Sequence, residues 1–229
     1  ARMEQAAVPS GHLLVNTRLN GALSLAGRIS EEMNGVSELF YVRELIRRVD
    51  ENWESVRDDL AALHESIVRR DDVKLDMTAD AALLGAASSP LEALVRRLPS
   101  RPLQACALDL APLPGAELLG IPVQVNYVGL GLSLKGTGYV YSGSQAVILR
   151  HLRMGYLWDR VRVQGGAYGC FARYGRATEA FTFASYRDPN VENTLRVYRE
   201  TADYLGNLSL SEADITRAVV GAIGDVDAY

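Results

Sequence analysis

Lysine is nearly absent from this chain: Lys74 and Lys135 are the two present, and the other basic residues are arginines. Basic residues number 24 against 28 acidic ones, for a formal net charge of −4, so the chain lacks the positive excess of a phosphate-contacting nucleic-acid binder. Arg47-Arg48, Arg69-Arg70 and Arg96-Arg97 read as solvated helix surface, and the lysine-poor, alanine-rich composition points to GC-rich bacterial coding. No segment reaches the ~18–20 apolar residues that a membrane-spanning helix needs, and no membrane partner is expected. Residues 1–14 show no basic start followed by an apolar run, as a secretory signal would, although a removed or upstream signal stays open. Two cysteines, Cys106 and Cys170, form no CxxC; they fit a reducing compartment or buried thiols, with one disulfide also open. A cytoplasmic setting is therefore expected, or an organellar matrix if the source is eukaryotic.

Histidine is scarce too. His64-Glu65 opens like HExxH, but Val68 occupies the second ligand position, and HxxEH is absent at His12, His64 and His151. A zinc site needs about three converging ligands, so no metal residues are assigned within this sequence. His151 reads as a half-buried helix residue. The run Gly129 to Gly138 fails both phosphate-binding patterns: Lys135 lies between Leu134 and Gly136, and Leu134 breaks GxGxxG. Glycines in a strand and its turn are the simpler reading. No Ser/His/Asp or Cys/His set appears.

What is present is ordinary core-forming material, 48% hydrophobic and 23% charged over 229 residues, enough for one large or two modest domains. A proline-rich stretch at 99–122, with Pro99, Pro102, Pro112, Pro114 and Pro122, resists helix and central strand and reads as a linker between pieces 1–98 and 123–229. In the first piece, Leu19 to Leu25 alternates like a strand. Leu39, Val42, Leu45, Ile46 and Val49 mark a helical stripe that Trp53, Val56, Leu60, Leu63 and Ile67 continue. Val73 to Thr78 alternates again, and a short helix is expected over 91–98. In the second piece, Val123 to Leu134 is strand-like, with Tyr139-Val140-Tyr141 pairing with it or extending it. A helix capped by Ser142 or Ser144 runs to about Asp159. Ala167–Arg173 and Ala180–Tyr186 form an antiparallel pair, and Asp188-Pro189 opens a helix that Gly206 stops. Ser211 and Asp214 resemble a capping box before the last helix. The order implies an α+β fold, antiparallel sheets with helices packed on one face.

One block is chemically unusual, Leu157-Trp158-Asp159-Arg160-Val161-Arg162-Val163-Gln164-Gly165-Gly166-Ala167-Tyr168-Gly169. Arginines alternate with valines in a strand-like segment, a glycine pair allows close backbone approach, and a tyrosine follows. A guanidinium fork and a phenol could together stabilise charge developing on a peptide carbonyl oxygen. A surface arginine and a packed tyrosine are the alternative.

The block from Tyr156 to Gly169, with Phe181-Thr182-Phe183, Ser185 to Asn190, Thr194-Leu195 and Ile223 to Tyr229, resembles the presequence protease branch of the pitrilysin/insulinase-type (M16) zinc metallopeptidases. Gly27 to Glu32, Asn34-Gly35 and Asn126-Tyr127-Val128 add weaker likeness, and Cys170 stands where the resemblance has glycine. It implies a C-terminal half fragment, with 1–98 and 123–229 belonging to the third and fourth of four related α+β domains. It also implies Zn²⁺ held by the N-terminal half of the same enzyme, and unfolded, presequence-like peptides as substrates. By residue type and order, the substrate-holding arginine and tyrosine fall on Arg162 and Tyr168, with Arg160 sharing the alternation. The fragment alone is then expected to be inactive. A non-catalytic scaffold or peptide-binding domain of the same fold is the alternative.

Overall fold

The computed structural model describes residues 2–71, 73–102 and 107–227. Two compact units form, one from residues 1–40 with 111–229 and the other from 41–110. Cys106 lies outside the described residues.

The chain opens with α1 (Arg2–Leu23), kinked at Ser10 just after Pro9, where the missing N–H breaks the ladder. The expected strand at Leu19 is thus helix. Val15, Leu19 and Leu23 recur every four residues, and this spacing satisfies a helix as well as an alternation. Ser24 accepts from the Gly27 N–H at 3.0 Å and starts α2 (Leu25–Asn34). Glu31 on α2 is fully buried. It takes Arg18 of α1 at 2.8 Å, Arg28 at 3.2 Å and the Ser37 N–H at 3.1 Å, which ties α1, α2 and the start of α3 (Val36–Glu51) together.

The smaller unit holds most of α3, then α4 (Trp53–Ile67) and α5 (Ala81–Arg97). The expected stripe is helical, with a break where Asn52 caps α4 through Ser55 N–H at 3.2 Å. Val56 alone of α4 is buried, and Leu60, Leu63 and Ile67 stay exposed. Val73–Thr78 is no strand: alternation without a pairing partner makes no ladder. The short helix expected at 91 instead begins ten residues earlier, where Asp80 accepts from the Leu83 N–H at 2.9 Å. Among the described residues, 99–125 contains neither helix nor strand.

The larger unit carries a three-stranded antiparallel sheet in the order β1-β3-β2: β1 (Gly129–Ser133), β2 (Gly169–Gly175) and β3 (Ala180–Tyr186). The expected β2–β3 pair is present, in register Ala172↔Phe183 and Gly169↔Tyr186. β1 is shorter than expected. Gly129 and Gly131 lie in it, and Gly136 and Gly138 lie in the turn that follows, so the glycine run is strand and turn. Tyr139 and Tyr141 join no ladder; their rings pack on Tyr174 of β2.

Central β3 is buried on both sides. Thr182 Oγ1 donates to Asn16 of α1 at 2.7 Å, while the neighbouring Phe183 stacks on Tyr198 of α7 (Val191–Gly206) at 4.8 Å. Adjacent strand residues point to opposite faces, so α1 and α7 cover opposite faces of the sheet. The class is α+β, and the helix layer is two-sided because α1 replaces the strand expected there. On the α7 side the core joins Val128, Leu152, Tyr156, Leu157, Val161, Ala172, Phe183, Val197 and Tyr198. α6 (Ser144–Met154) contributes Leu152, and α8 (Glu212–Asp227) is fixed to it by Arg150–Asp225 at 2.7 Å. Ser211 and Asp214 do cap α8 reciprocally, the Asp214 N–H to Ser211 Oγ at 3.2 Å and the Ser211 N–H to Asp214 Oδ2 at 3.3 Å.

Candidate functional site

The expected helix to Asp159 stops at Met154, and after a turn at Gly155 the chain forms a π-helical turn, Trp158–Val163. Gln164 N–H donates to Asp159 O at 2.9 Å, the five-residue step of this form, which recurs at functional sites. Arg160 and Arg162 are therefore on a helix, not on the strand-like segment expected of them. The cause is Leu157 and Val161, both 0% exposed: four residues apart, they bury one helical face in the core. An alternating strand would put both arginines on one side, but a helix turns two neighbours in such a step far apart. Arg160 goes with Gln164 toward the start of α7, where both line a polar pocket with Asn190, Asn193, Arg196 and Glu200. Arg162 goes with Trp158 toward Tyr168. Its guanidinium carbon lies 3.9 Å from the Trp158 ring centre and 5.7 Å from that of Tyr168.

Two glycines make the corner between the turn and β2. A Cβ at Gly165 would meet Val161 O at 2.5 Å, so only glycine lets the chain fold back this close to the turn. Gly166 sits at φ +81°, the left-handed region, and its N–H donates to Arg162 O at 2.9 Å. The chain then enters the sheet: Tyr168 N–H donates to Tyr186 O at 3.0 Å, one residue before β2 begins. The Tyr168 ring stands edge-on to Tyr186 at 5.6 Å and is 65% exposed.

The corner is braced from below by Asp188, fully buried after Arg187 at φ +49°. One carboxylate oxygen accepts from the Asn190 N–H at 2.8 Å and the other from Thr194 Oγ1 at 2.7 Å. Asn190, in turn, donates its amide to Gly165 O at 2.6 Å. The helix opens two residues later than Asp188-Pro189 implies: Asn190 occupies the cap position, and the Asp188 carboxylate holds it from two residues back.

Arg162 and Tyr168 are thus brought side by side, and Arg160 faces elsewhere. Among the described residues no side chain or carbonyl accepts from the Arg162 guanidinium, so its in-plane donors are free. Two contributors escaped the sequence reading. Trp158 is signalled only by its four-residue spacing from Arg162 within a helix. Tyr186 gathers His12 at 4.9 Å, Tyr127 at 5.8 Å and Arg187 at 5.4 Å around its ring, and the His12 contact depends on α1 crossing the sheet.

Burial pushes the Cys170 thiol up to about 12, despite its contact with the Tyr198 hydroxyl, so it is no thiolate nucleophile. His151 is a half-buried helix residue as expected, its Nε2 2.7 Å from Tyr204 Oη. Burial, and then nearby Arg173, lowers the His12 pKa. Among the described residues no three His, Cys, Asp or Glu side chains gather to hold a metal. No described helix is long and apolar enough to cross a membrane.

Residues 116–229 match the family described as the PreP C-terminal domain. Along its whole length the chain is 39% identical to Presequence protease 1, chloroplastic/mitochondrial, of Arabidopsis thaliana, covering 21% of that protein. It is 25% identical to Protein HypA of Clostridium perfringens, over 99% of this chain and 23% of that one. It is 26% identical to the mitochondrial Presequence protease of Emericella nidulans, over 96% and 22%. The chain belongs to the presequence protease branch of the M16 metallopeptidases, in their C-terminal region. It spans about a fifth of the length of the curated relatives it matches.

Proposed function

We propose that this portion of the chain braces an unfolded peptide for cleavage in a zinc metalloendopeptidase, with Arg162 and Tyr168 donating to the carbonyl oxygen of the bond to be cut. The observation that carries this reading is the Arg162 guanidinium, covered by the Trp158 ring at 3.9 Å, flanked by the exposed Tyr168 phenol and satisfied by no acceptor among the described residues. Such a donor pair is preorganised for negative charge that develops as a carbonyl becomes tetrahedral, and its stabilisation lowers the barrier directly. β2 pairs only with β3 among the described residues, which leaves an edge where an extended peptide could add as a strand. Main-chain pairing of this kind gives breadth of substrate, in keeping with presequence-like peptides of varied sequence.

The metal chemistry belongs, on this reading, to the N-terminal half of the same enzyme, whose Zn²⁺ this portion does not ligate. The portion alone is inactive. In the full-length enzyme Arg162→Ala or Tyr168→Phe should lower kcat/KM at least tenfold, about 1.4 kcal/mol of transition-state stabilisation. Wild-type kinetics in both variants would refute the assignment.

A further inference from the structure

Arg162 poses a problem that its neighbours answer. A long side chain with no acceptor among the described residues would spread over many rotamers, and a donor that must meet a carbonyl at the moment of reaction gains from being held. An acidic partner would hold it but would occupy the donors it needs to present. An aromatic face holds a guanidinium through its π-cloud and leaves the in-plane N–H groups free. Trp158 stands in that relation, 3.9 Å from the guanidinium carbon. Leu157 and Val161, fully buried, pin the turn that carries both residues, so the stack has a fixed base. Trp158 is itself 39% exposed, more than a tryptophan serving the core would be. Tryptophan also has the strongest ring field for a cation among the aromatic residues.

We propose that Trp158 is a positioning residue for Arg162: its indole face fixes the guanidinium beside Tyr168 with the donor edge open to substrate. This rests on the bracing role given to Arg162 above. Trp158 touches no reacting atom and acts through the arginine alone.

The test is a double-mutant cycle in the full-length enzyme, with kcat and KM measured on an unfolded peptide substrate and melting curves for each variant. Trp158→Leu should lower kcat/KM by about fivefold to tenfold, the scale of a modest misplacement of one donor, with KM within about twofold of native. Trp158→Phe, which keeps a ring face, should return to within about twofold of native. In the Arg162→Ala background, Trp158→Leu should change kcat/KM by less than about twofold, because the group it positions is gone. Trp158→Met completes the same cycle if the leucine variant does not fold. An equal loss from Trp158→Leu in both backgrounds would show a merely structural role and overturn the proposal. So would native rates in Trp158→Leu beside an impaired Arg162→Ala. Native rates in the Arg162→Ala single variant would instead overturn the bracing role given to Arg162 itself.

Discussion

Thr194→Val replaces one hydroxyl by a methyl group of similar size, at a position where the consequence can be worked from geometry. Thr194 and Asp188 are both fully buried, and Thr194 Oγ1 donates to Asp188 Oδ2 at 2.7 Å. The other carboxylate oxygen keeps its bond from the Asn190 N–H, so the variant strips one oxygen of a buried charge and leaves the rest in place. A hydrogen bond to a charged group is worth about 1.5–3 kcal/mol, and water cannot replace the lost donor in a closed site. Thr194→Ser keeps the donor and removes one methyl, about 0.8 kcal/mol. In urea, with a slope near 2 kcal/mol/M, the midpoint should fall by about 1 M for valine and by less than about 0.5 M for serine. The assay is a urea titration of this chain followed by circular dichroism. Because Asn190 also holds Gly165 O, the valine variant of the full-length enzyme should lose more kcat/KM than the serine variant. A valine variant as stable as the serine variant would refute the role given to this hydrogen bond.

Gly166→Ala should destabilise by about 1–2 kcal/mol, since a side chain is strained in the left-handed region and the new methyl would stand 3.3 Å from Pro189 Cγ; an unchanged melting temperature would argue against a rigid corner. At Glu31, burial raises the pKa, but hydrogen bonds from Ser37 and Arg18 outweigh it and hold the carboxyl below its ordinary 4.5. A depressed folded-state pKa contributes stability that is present above pH 4.5 and is lost as pH falls through the folded value. Glu31→Gln should therefore be less stable than the native chain at neutral pH, with the gap narrowing in acid. A gap of constant size from neutral pH to well below 4.5 would refute this.

Local signals served best where one principle acted alone. The β2–β3 hairpin was legible because both strands alternate over short runs, and the α8 capping box because Ser211 and Asp214 need only each other. Leu19 to Leu25 misled because apolar residues four apart suit both periods, and only the sheet beneath α1 selects helix. Val73–Thr78 misled for the opposite reason, having a strand's pattern and no partner.

For the candidate site, residue chemistry and order alone picked out a block holding arginine, a glycine pair and tyrosine, together with its family likeness. They favour Arg162 by order but do not separate it from Arg160, because a strand would aim both the same way. Burial of Leu157 and Val161 made the segment helical, and the helix sent Arg160 toward α7 and Arg162 onto Trp158 beside Tyr168. Which residues can do the chemistry is a property of their side chains and is written in the sequence. Which of them face one another depends on what the core buries, and that only the tertiary structure decides.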